Sequence, residues 1–178
     1  TNYPCSITTE NYKIYDLTKR KDKQPFAPMV SNKQNLIDQR YGLSVYYYGN
    51  KYWEGEPVYE EVIEDIEFNW FNEEKKPIPS PFSAIWKGYI EIYTPGKYTF
   101  KLTSDDGSWL YIDDILVIEN GGNHATKSVA GTVTLEPGKH KIMIKYFDAG
   151  GGAVLSLLWV PPNGRESKIP VERLKIKD

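Results

Sequence analysis

Hydrophobic and polar residues alternate in short runs from residue 42 to the end of the chain. Between 141 and 147, for example, Ile142 and Ile144 share one parity, whereas Lys141 and Lys145 share the other. A period of two is typical of β-strands that bury one face. The pattern predicts strands at 43–48, 62–70, 84–93, 98–103, 109–112, 115–118, 129–135, 141–147, 153–160 and 171–176.

Turn signals separate these runs at roughly 8–12 residues, a spacing that is typical of β-sandwiches. T-P-G-K at 94–97 and E-P-G-K at 136–139 predict turns in which glycine takes the left-handed position. Asp113 and Asp114 predict a tight hairpin turn. We therefore expect an all-β fold over residues 41–178, an antiparallel β-sandwich or barrel with long loops.

Residues 1–40 differ from the rest because apolar residues are sparse and K-R-K-D-K-Q-P-F-A-P at 19–28 is typical of a loop or linker. We expect an irregular N-terminal extension packed on the domain. The single cysteine, Cys5, excludes an internal disulfide. We find no signal-peptide pattern and no apolar run long enough to span a membrane. We expect no direct membrane insertion, and we expect further domains in a larger parent protein.

Composition narrows the possible partners. The net charge is −2 at pH 7, which gives no general attraction for nucleic acid. Residues 51–76 hold three Lys and nine Asp or Glu, and we interpret this acidic block as a solvated strand face. Aromatic residues make up 14% of the chain, which suits sheets and also sugar- or protein-binding surfaces.

Motifs for catalysis are missing from the sequence. There is no G-x-S-x-G elbow and no H-E-x-x-H zinc motif. His124 and His140 lie in or beside predicted turns, where a histidine is more often a surface residue than a base. Glycines 150–152 lack the Lys-Ser/Thr of a phosphate-binding loop. We therefore expect a non-catalytic chain.

The sequence S-D-D-G at 104–107 places two acids side by side at the end of a predicted strand. Successive strand side chains point to opposite faces, so Asp105 and Asp106 could share one cation only if the backbone departs from a regular strand. A cis peptide bond between them would aim both carboxylates at one ion. Calcium takes six to eight oxygen ligands. A polar turn without any ion is the alternative, and spacing alone leaves both open.

A second loop would have to complete such a calcium site. F-D-A-G-G-G at 147–152 offers the Asp148 carboxylate, and its glycines let backbone carbonyls approach. Asn123 and His124 lie in another loop that could rim the site, although we favour a plain exposed loop for both. We interpret Trp109, Tyr111 and Tyr146 as core residues rather than as a sugar-stacking wall. Trp70, Trp86 and Trp159 are interpreted as core for the same reason, since they lie inside predicted strands.

Several motifs together resemble a known family. They are F-S-A-I-W-K-G-Y-I at 82–90, P-G-K-Y-T-F-K-L-T-S-D-D-G-S-W-L-Y-I-D-D at 95–114 and Y-F-D-A-G-G-G-A-V-L-S-L-L-W at 146–159. With G-L-S-V-Y-Y-Y-G-N at 42–50, they resemble the protective-antigen-type domain family, named after the fourteen-kilodalton segment of anthrax-toxin protective antigen. The resemblance extends over about residues 40–176.

This resemblance implies a β-sandwich of a secreted or cell-surface protein. In lectin-like members, paired aspartates joined by a cis peptide hold a calcium ion that binds sugar hydroxyls directly. The corresponding residues here are Asp105 and Asp106. By the same resemblance, Asp148 and Gly150 are expected as further metal ligands, and Gly151 and Gly152 as carbohydrate contacts beside Asn123 and His124.

Three hypotheses for function follow. The first is a calcium-dependent carbohydrate-binding module that acts at the cell surface or outside the cell and takes a glycan as its partner. The second is a structural or protein-interaction sandwich without sugar binding, since protective antigen itself shows that the family need not bind sugar. The third is an accessory domain that positions substrate for a glycosidase or glycosyltransferase.

Overall fold

The computed structural model describes residues 41–71 and 76–176, and the extension expected at 1–40 lies outside these residues. The described chain is built almost entirely from strands. They are β1 (Leu43–Tyr48), β2 (Tyr59–Ile63), β3 (Glu67–Asn69), β4 (Phe82–Ile92), β5 (Gly96–Asp105), β6 (Ser108–Ile112), β7 (Ile115–Asn120), β8 (Lys127–Leu135), β9 (Gly138–Asp148), β10 (Val154–Val160), β11 (Ser167–Lys168) and β12 (Leu174–Lys175).

The strands form two antiparallel sheets that pack together as an open sandwich. The seven-stranded sheet has the order β2-β1-β4-β9-β6-β7, with β12 also paired to β4. The five-stranded sheet has the order β11-β10-β5-β8, with β3 also paired to β10. The all-β sandwich prediction is therefore confirmed, and the sheets do not close into a barrel.

An aromatic cluster fills the space between the sheets. Trp86, Tyr146 and Phe82 are fully buried. The centroid of the Tyr146 ring lies 5.9 Å from that of Phe82 and 6.2 Å from that of Trp86, both in edge-on arrangements that aromatic pairs favour. Trp70 and Trp159 are also buried, which confirms their interpretation as core residues.

Two strand predictions were wrong in extent. The strand predicted at 62–70 is two strands in different sheets, because β2 pairs with β1 whereas β3 pairs with β10. The chain crosses between the sheets at the exposed residues Glu64 and Asp65. The strand predicted at 171–176 is a 3₁₀ turn, Val171–Arg173, followed by the two residues of β12.

The first and last described residues meet beside β4. Tyr41 forms a bridge with Lys175, and the amide of Gly42 donates a hydrogen bond of 3.0 Å to the carbonyl of Leu174. Lys175 is paired in turn with Tyr89 of β4. The two ends of the described residues therefore lie side by side.

Candidate functional site

The two acids of S-D-D-G lie where β5 ends and the chain turns toward β6, and the peptide bond between them is cis. Asp106 is only 6% exposed. Its Oδ1 accepts a hydrogen bond from the amide of His124 (3.0 Å), and its Oδ2 accepts one from the amide of Ala149 (2.8 Å). Backbone amides of two separate loops therefore fix this carboxylate in place.

Asp105 is partly exposed and is held by hydroxyl groups. Its Oδ2 accepts a weak hydrogen bond of 3.3 Å from Thr126, and its carbonyl accepts one of 2.6 Å from the hydroxyl of Tyr146. Burial raises the pKa of Tyr146 far above its usual range, and the charges of Asp148, Asp106 and Asp105 raise it further. The phenol therefore stays protonated and remains a donor at every physiological pH.

Neither carboxylate of this pair forms an ion pair with any described residue. Two negative charges thus lie on adjacent residues without a compensating cation among residues 41–71 and 76–176. Backbone amides and hydroxyl groups donate hydrogen bonds to these carboxylates but bring no positive charge. This excess negative charge is the electrostatic property that distinguishes the site.

Asp148 follows at the end of β9, and its partners differ from those expected of a metal ligand. Its carboxylate is fully buried against the fully buried ammonium group of Lys76, at 2.8 Å. The Asp148 Oδ2 also accepts a hydrogen bond from Ser80, and Oδ1 accepts one from the amide of Gly150 (2.9 Å). These contacts favour a structural role in the loop, and coordination of a metal by Asp148 stays a prediction.

The glycines after Asp148 shape the loop that faces the acids. Gly150 and Gly151 have φ of 128° and 89°, which L side chains rarely adopt, and both are exposed. The carbonyl of Gly151 accepts a hydrogen bond of 2.9 Å from Lys76, so only part of its acceptor capacity remains. Gly152 lies under the ring of Phe71, because a Cβ there would come within 2.3 Å of that ring.

Gly107 is required by space rather than by an unusual backbone angle. Its φ is not positive, but an added Cβ would lie 2.5 Å from the ring of Phe147 and 3.1 Å from the carbonyl of Gly122. The amide of Phe147 also donates to the Gly107 carbonyl. The glycine therefore allows the chain after Asp106 to lie directly against β9.

The loop after β7 contributes its backbone to the site. His124 reaches Asp106 through its amide, whereas its two ring nitrogens face the carbonyls of Ala125 and Asn120. Asn123 is exposed in the same loop. The structure thus brings Asp105, Asp106, the His124 amide and the loop 148–152 together, and a ligand contact by Asn123 stays a prediction.

A buried polar cluster underlies the acids. Ser104 and Ser108 share a hydrogen bond of 2.7 Å, and the Asn120 side-chain amide donates to Ser104. Asn120 Oδ1 is buried without a hydrogen-bond partner among the described residues. Ser104 and Ser108 lie on either side of the two acids in sequence, and this polar cluster holds the end of β5 against β6 and β7.

The carboxylates of Asp105 and Asp106 are suitable ligands for calcium, because calcium prefers oxygen ligands and two carboxylates balance its charge. Within residues 41–71 and 76–176, no group of three or more His, Cys, Asp or Glu side chains is arranged to hold a metal. Backbone carbonyls, water or a bound ligand would have to supply the remaining oxygens.

Some contributors could not be found from the sequence. Lys76 and Ser80 carry no motif, and Lys76 lies far along the chain from Asp148. Ala149 lies inside F-D-A-G-G-G, but the sequence does not show that its amide reaches Asp106. The interpretation of Tyr146 as core is confirmed, but that of Trp109 and Tyr111 is wrong. Both lie partly exposed on the outer face of the seven-stranded sheet, because Leu110 between them takes the inner position.

Proteins of known sequence and structure resemble this chain over most of its described length. Anti-sigma-I factor RsgI3 of Acetivibrio thermocellus is 27% identical over 141 residues, which cover 75% of this chain and 21% of that protein. An anti-sigma factor domain-containing protein from Clostridium clariflavum is 28% identical, with a TM-score of 0.70 over 78% of this chain and 48% of that one. The chain therefore spans less than half the length of these relatives.

A second structure shares the fold alone. The PA14 sugar-binding domain from an RTX adhesin has a TM-score of 0.67 at 19% identity, over 78% of this chain and 99% of that one. In addition, no helix among the described residues is long and apolar enough to cross a membrane. The family model described as the PA14 domain matches residues 39–173, so this chain belongs to the PA14 domain family.

Proposed function

We propose that this chain is a non-catalytic, calcium-dependent carbohydrate-binding module. Asp105 and Asp106 would hold the ion, and the loops at 122–126 and 148–152 would surround the bound sugar. The observation that carries the proposal is the pair of adjacent carboxylates without a cationic partner among the described residues. The name of the RTX adhesin domain, which calls it sugar-binding, supports the same conclusion.

The chemistry of sugar recognition explains why a cation is useful there. Water offers sugar hydroxyls hydrogen bonds as good as those of a protein, so hydrogen bonding alone gives little net affinity. Calcium bound at Asp105 and Asp106 would supply a fixed positive charge to which hydroxyl oxygens are attracted. The amides of His124 and Ala149 keep the Asp106 carboxylate oriented before ligand arrives, which reduces the entropy lost on binding.

The parent protein belongs to the proposal as well. The matches to anti-sigma factors support a longer chain in which this module is one of several domains. The adhesin match supports a location outside the cell or at its surface. Affinity for one sugar is expected near the millimolar range, because few atoms make contact, and useful attachment would then need several modules.

Thermal unfolding with calcium and with chelator tests the metal site. A ligand stabilises the state that it binds, so calcium is expected to raise the unfolding midpoint of the unaltered chain. The variant Asp105→Asn/Asp106→Asn should lose this rise. The matched control is Asp113→Asn/Asp114→Asn, which removes the same charge from the other Asp–Asp pair and should keep the rise.

Sugar binding is then measured separately on a glycan array, with calcium and with chelator. Binding that needs both calcium and the unaltered acids supports the module as proposed. A calcium-induced rise without any glycan bound would leave a structural calcium site and overturn the lectin function. No rise at millimolar calcium would overturn the calcium mechanism itself.

A further inference from the structure

The outer face of the seven-stranded sheet carries a set of lysine and aromatic side chains that the calcium site does not use. Lys145 of β9 lies opposite Ile85 of β4, and Lys87 follows two positions later on β4. Two positions along a strand return to the same face. Tyr46 of β1 lies opposite Ile85 on its other side. We call Tyr46, Trp53, Lys87 and Lys145 the lysine face.

Both lysines stand against aromatic rings. The ammonium nitrogen of Lys145 lies 4.0 Å from the centroid of the Trp53 ring, and that of Lys87 lies 5.7 Å from the centroid of the Tyr46 ring. Neither lysine forms an ion pair with a described residue. Burial lowers the pKa of Lys145, and the like charge of Lys87 lowers it further. The face therefore holds two neighbouring cations that a ligand anion would stabilise.

Trp53 is held in place by a backbone that is unusual for a large residue. Its φ is +57°, a conformation that costs about 1–3 kcal/mol for a residue other than glycine. Its amide donates to the Ser83 hydroxyl at 3.1 Å, and its indole nitrogen donates to the Ala84 carbonyl at 3.1 Å. Strained residues fixed in this way cluster at functional sites. The loop therefore holds the indole ring beside Lys145.

A groove extends from Lys87 along the same sheet. Its volume is about 340 Å³, and Tyr46, Tyr89 and Met143 contribute to its walls. An ion pair between Lys141 and Asp114 (3.1 Å) lies among its lining residues and neutralises both of those charges. The groove thus joins apolar ring surface to the unpaired charge of Lys87.

We propose that the lysine face and this groove form a second binding site, for an acidic polysaccharide whose sugars carry carboxylates. The carboxylates would lie at Lys87 and Lys145, and the apolar face of a sugar ring would lie on Tyr46. A glycan fits this surface better than an acidic peptide. Strands β1, β4 and β9 each have neighbours on both sides, so their ladders already use the backbone groups that an extended peptide would need.

This site does not depend on calcium, so it is tested in the presence of chelator. Migration of the protein in native gels containing alginate measures binding to a carboxylated glycan, and neutral dextran is the uncharged comparison. The unaltered chain should be retarded by alginate and not by dextran. A general attraction to polyanions is not expected to cause the retardation by alginate, because the net charge of the chain is −2.

The variant Lys87→Met/Lys145→Met removes both charges and keeps much of the apolar side chains. It should weaken alginate binding at least tenfold, whereas Lys87→Arg/Lys145→Arg should stay within about threefold of the unaltered chain. Lys97→Met/Lys127→Met removes the same charge from the five-stranded sheet and should leave binding unchanged. Tyr46→Ala should weaken binding at least threefold, and Tyr46→Phe should not.

Three results would overturn the assignment. One is no retardation of the unaltered chain by alginate, and another is equal loss in the Lys97→Met/Lys127→Met control. The third is equal or stronger binding of dextran sulfate or polyglutamate, which would assign the face to sulfated glycans or to acidic peptides. Loss of the calcium response in Asp105→Asn/Asp106→Asn with alginate binding retained would separate this site from the proposed calcium site.

Discussion

The strand β6 has an Asp–Asp pair at each end, and the two pairs have opposite surroundings. Asp113 and Asp114, after the strand, form the hairpin turn with φ of 49° and 64°. Asp113 Oδ2 lies 2.6 Å from the ring of His140, and Asp114 Oδ2 lies 3.1 Å from the ammonium group of Lys141. Asp105 and Asp106, before the strand, have only backbone amides and hydroxyls as donors among the described residues.

The difference teaches that the dipeptide alone does not specify a cation site. At 113–114 the positive φ of both residues matches a type I′ hairpin, and His140 and Lys141 of β9 pair with the two carboxylates. At 105–106 neither carboxylate forms an ion pair with a described residue, and Lys76 is paired with Asp148 instead. Only the pair Asp105–Asp106 therefore lacks a basic partner among the described residues and can use its negative charge to bind a ligand.

The largest expected effect is a loss of stability on breaking the ion pair Lys76–Asp148, compared with the ion pair Lys141–Asp114. Lys76→Met leaves the buried carboxylate of Asp148 without its cation, which should destabilise the protein by about 3–5 kcal/mol. Lys141→Met removes an exposed partner of Asp114 and should leave the unfolding midpoint nearly unchanged. Urea unfolding of both variants measures the contrast.

The double variant Lys76→Met/Asp148→Asn is the control for the buried pair. It removes both charges, so it should recover a large part of the stability that Lys76→Met loses. A loss of less than about 1 kcal/mol for Lys76→Met would contradict the full burial of this pair.

A smaller effect of opposite sign separates the two Asp–Asp pairs. In chelator, Asp105→Asn relieves repulsion with Asp106 and should stabilise the protein by about 0.5 kcal/mol. Asp113→Asn removes the charged partner of His140 and should destabilise it. Urea unfolding in chelator measures the stability change of each variant. Excess calcium should make Asp105→Asn destabilising and leave the sign of the Asp113→Asn effect unchanged. Two changes of the same sign would contradict the difference in surroundings.

The smallest expected effect is a pH dependence of the stabilisation that the contact between His140 and Asp113 provides. Burial lowers the pKa of His140, but hydrogen bonds to Asp113 and to the Glu136 carbonyl outweigh it, so the pKa lies above its ordinary value of 6.5. A raised folded-state pKa means that the stabilisation is complete below about pH 6.5 and is lost as pH rises through the folded value. The stability gap between the unaltered chain and His140→Gln should therefore be wider at pH 5.5 than at pH 8.5.

Thermal unfolding at the two pH values is a sufficient measurement. In an Asp113→Asn background the gap should depend much less on pH, since the charge that raises the pKa is gone. A gap that widens toward pH 8.5 would be the wrong sign.

Much of the fold could be predicted from alternation alone, because strands such as β1, β5, β6 and β10 bury alternate residues. The alternation predicts Lys141 and Lys145 on one face of β9 and Ile142 and Ile144 on the other, and the structure confirms this. The break between β2 and β3 could not be predicted. Val62 and Ile66 have the same parity, but Val62 lies opposite Ser44 on the outer face, whereas Ile63 packs against the core. The core-facing parity therefore changes between Ile63 and Ile66, and the apparent continuity of the pattern hides the change of sheet.

The candidate site was predictable only in part, and for a physical reason. Two adjacent acids followed by glycine stand out in a strand pattern, so Asp105 and Asp106 were found. Lys76 and Trp53 could not be, because their roles arise from contacts between residues far apart in sequence. Lys76 meets Asp148 across 72 positions, and Trp53 meets Ala84 across 31.

The meeting of Tyr41 and Lys175 beside Tyr89 has a mechanical consequence. Asp148 lies opposite Phe82, which is seven positions along β4 from Tyr89 and therefore about 20 Å away. A chain that continues beyond both ends would hold the domain by this one place. The loops that carry Asp105, Asp106 and residues 148–152 would then lie at the far end of β4 from the attachment. Tension along such a chain would load the short ladder between β12 and β4 first and leave the distant loops undisturbed.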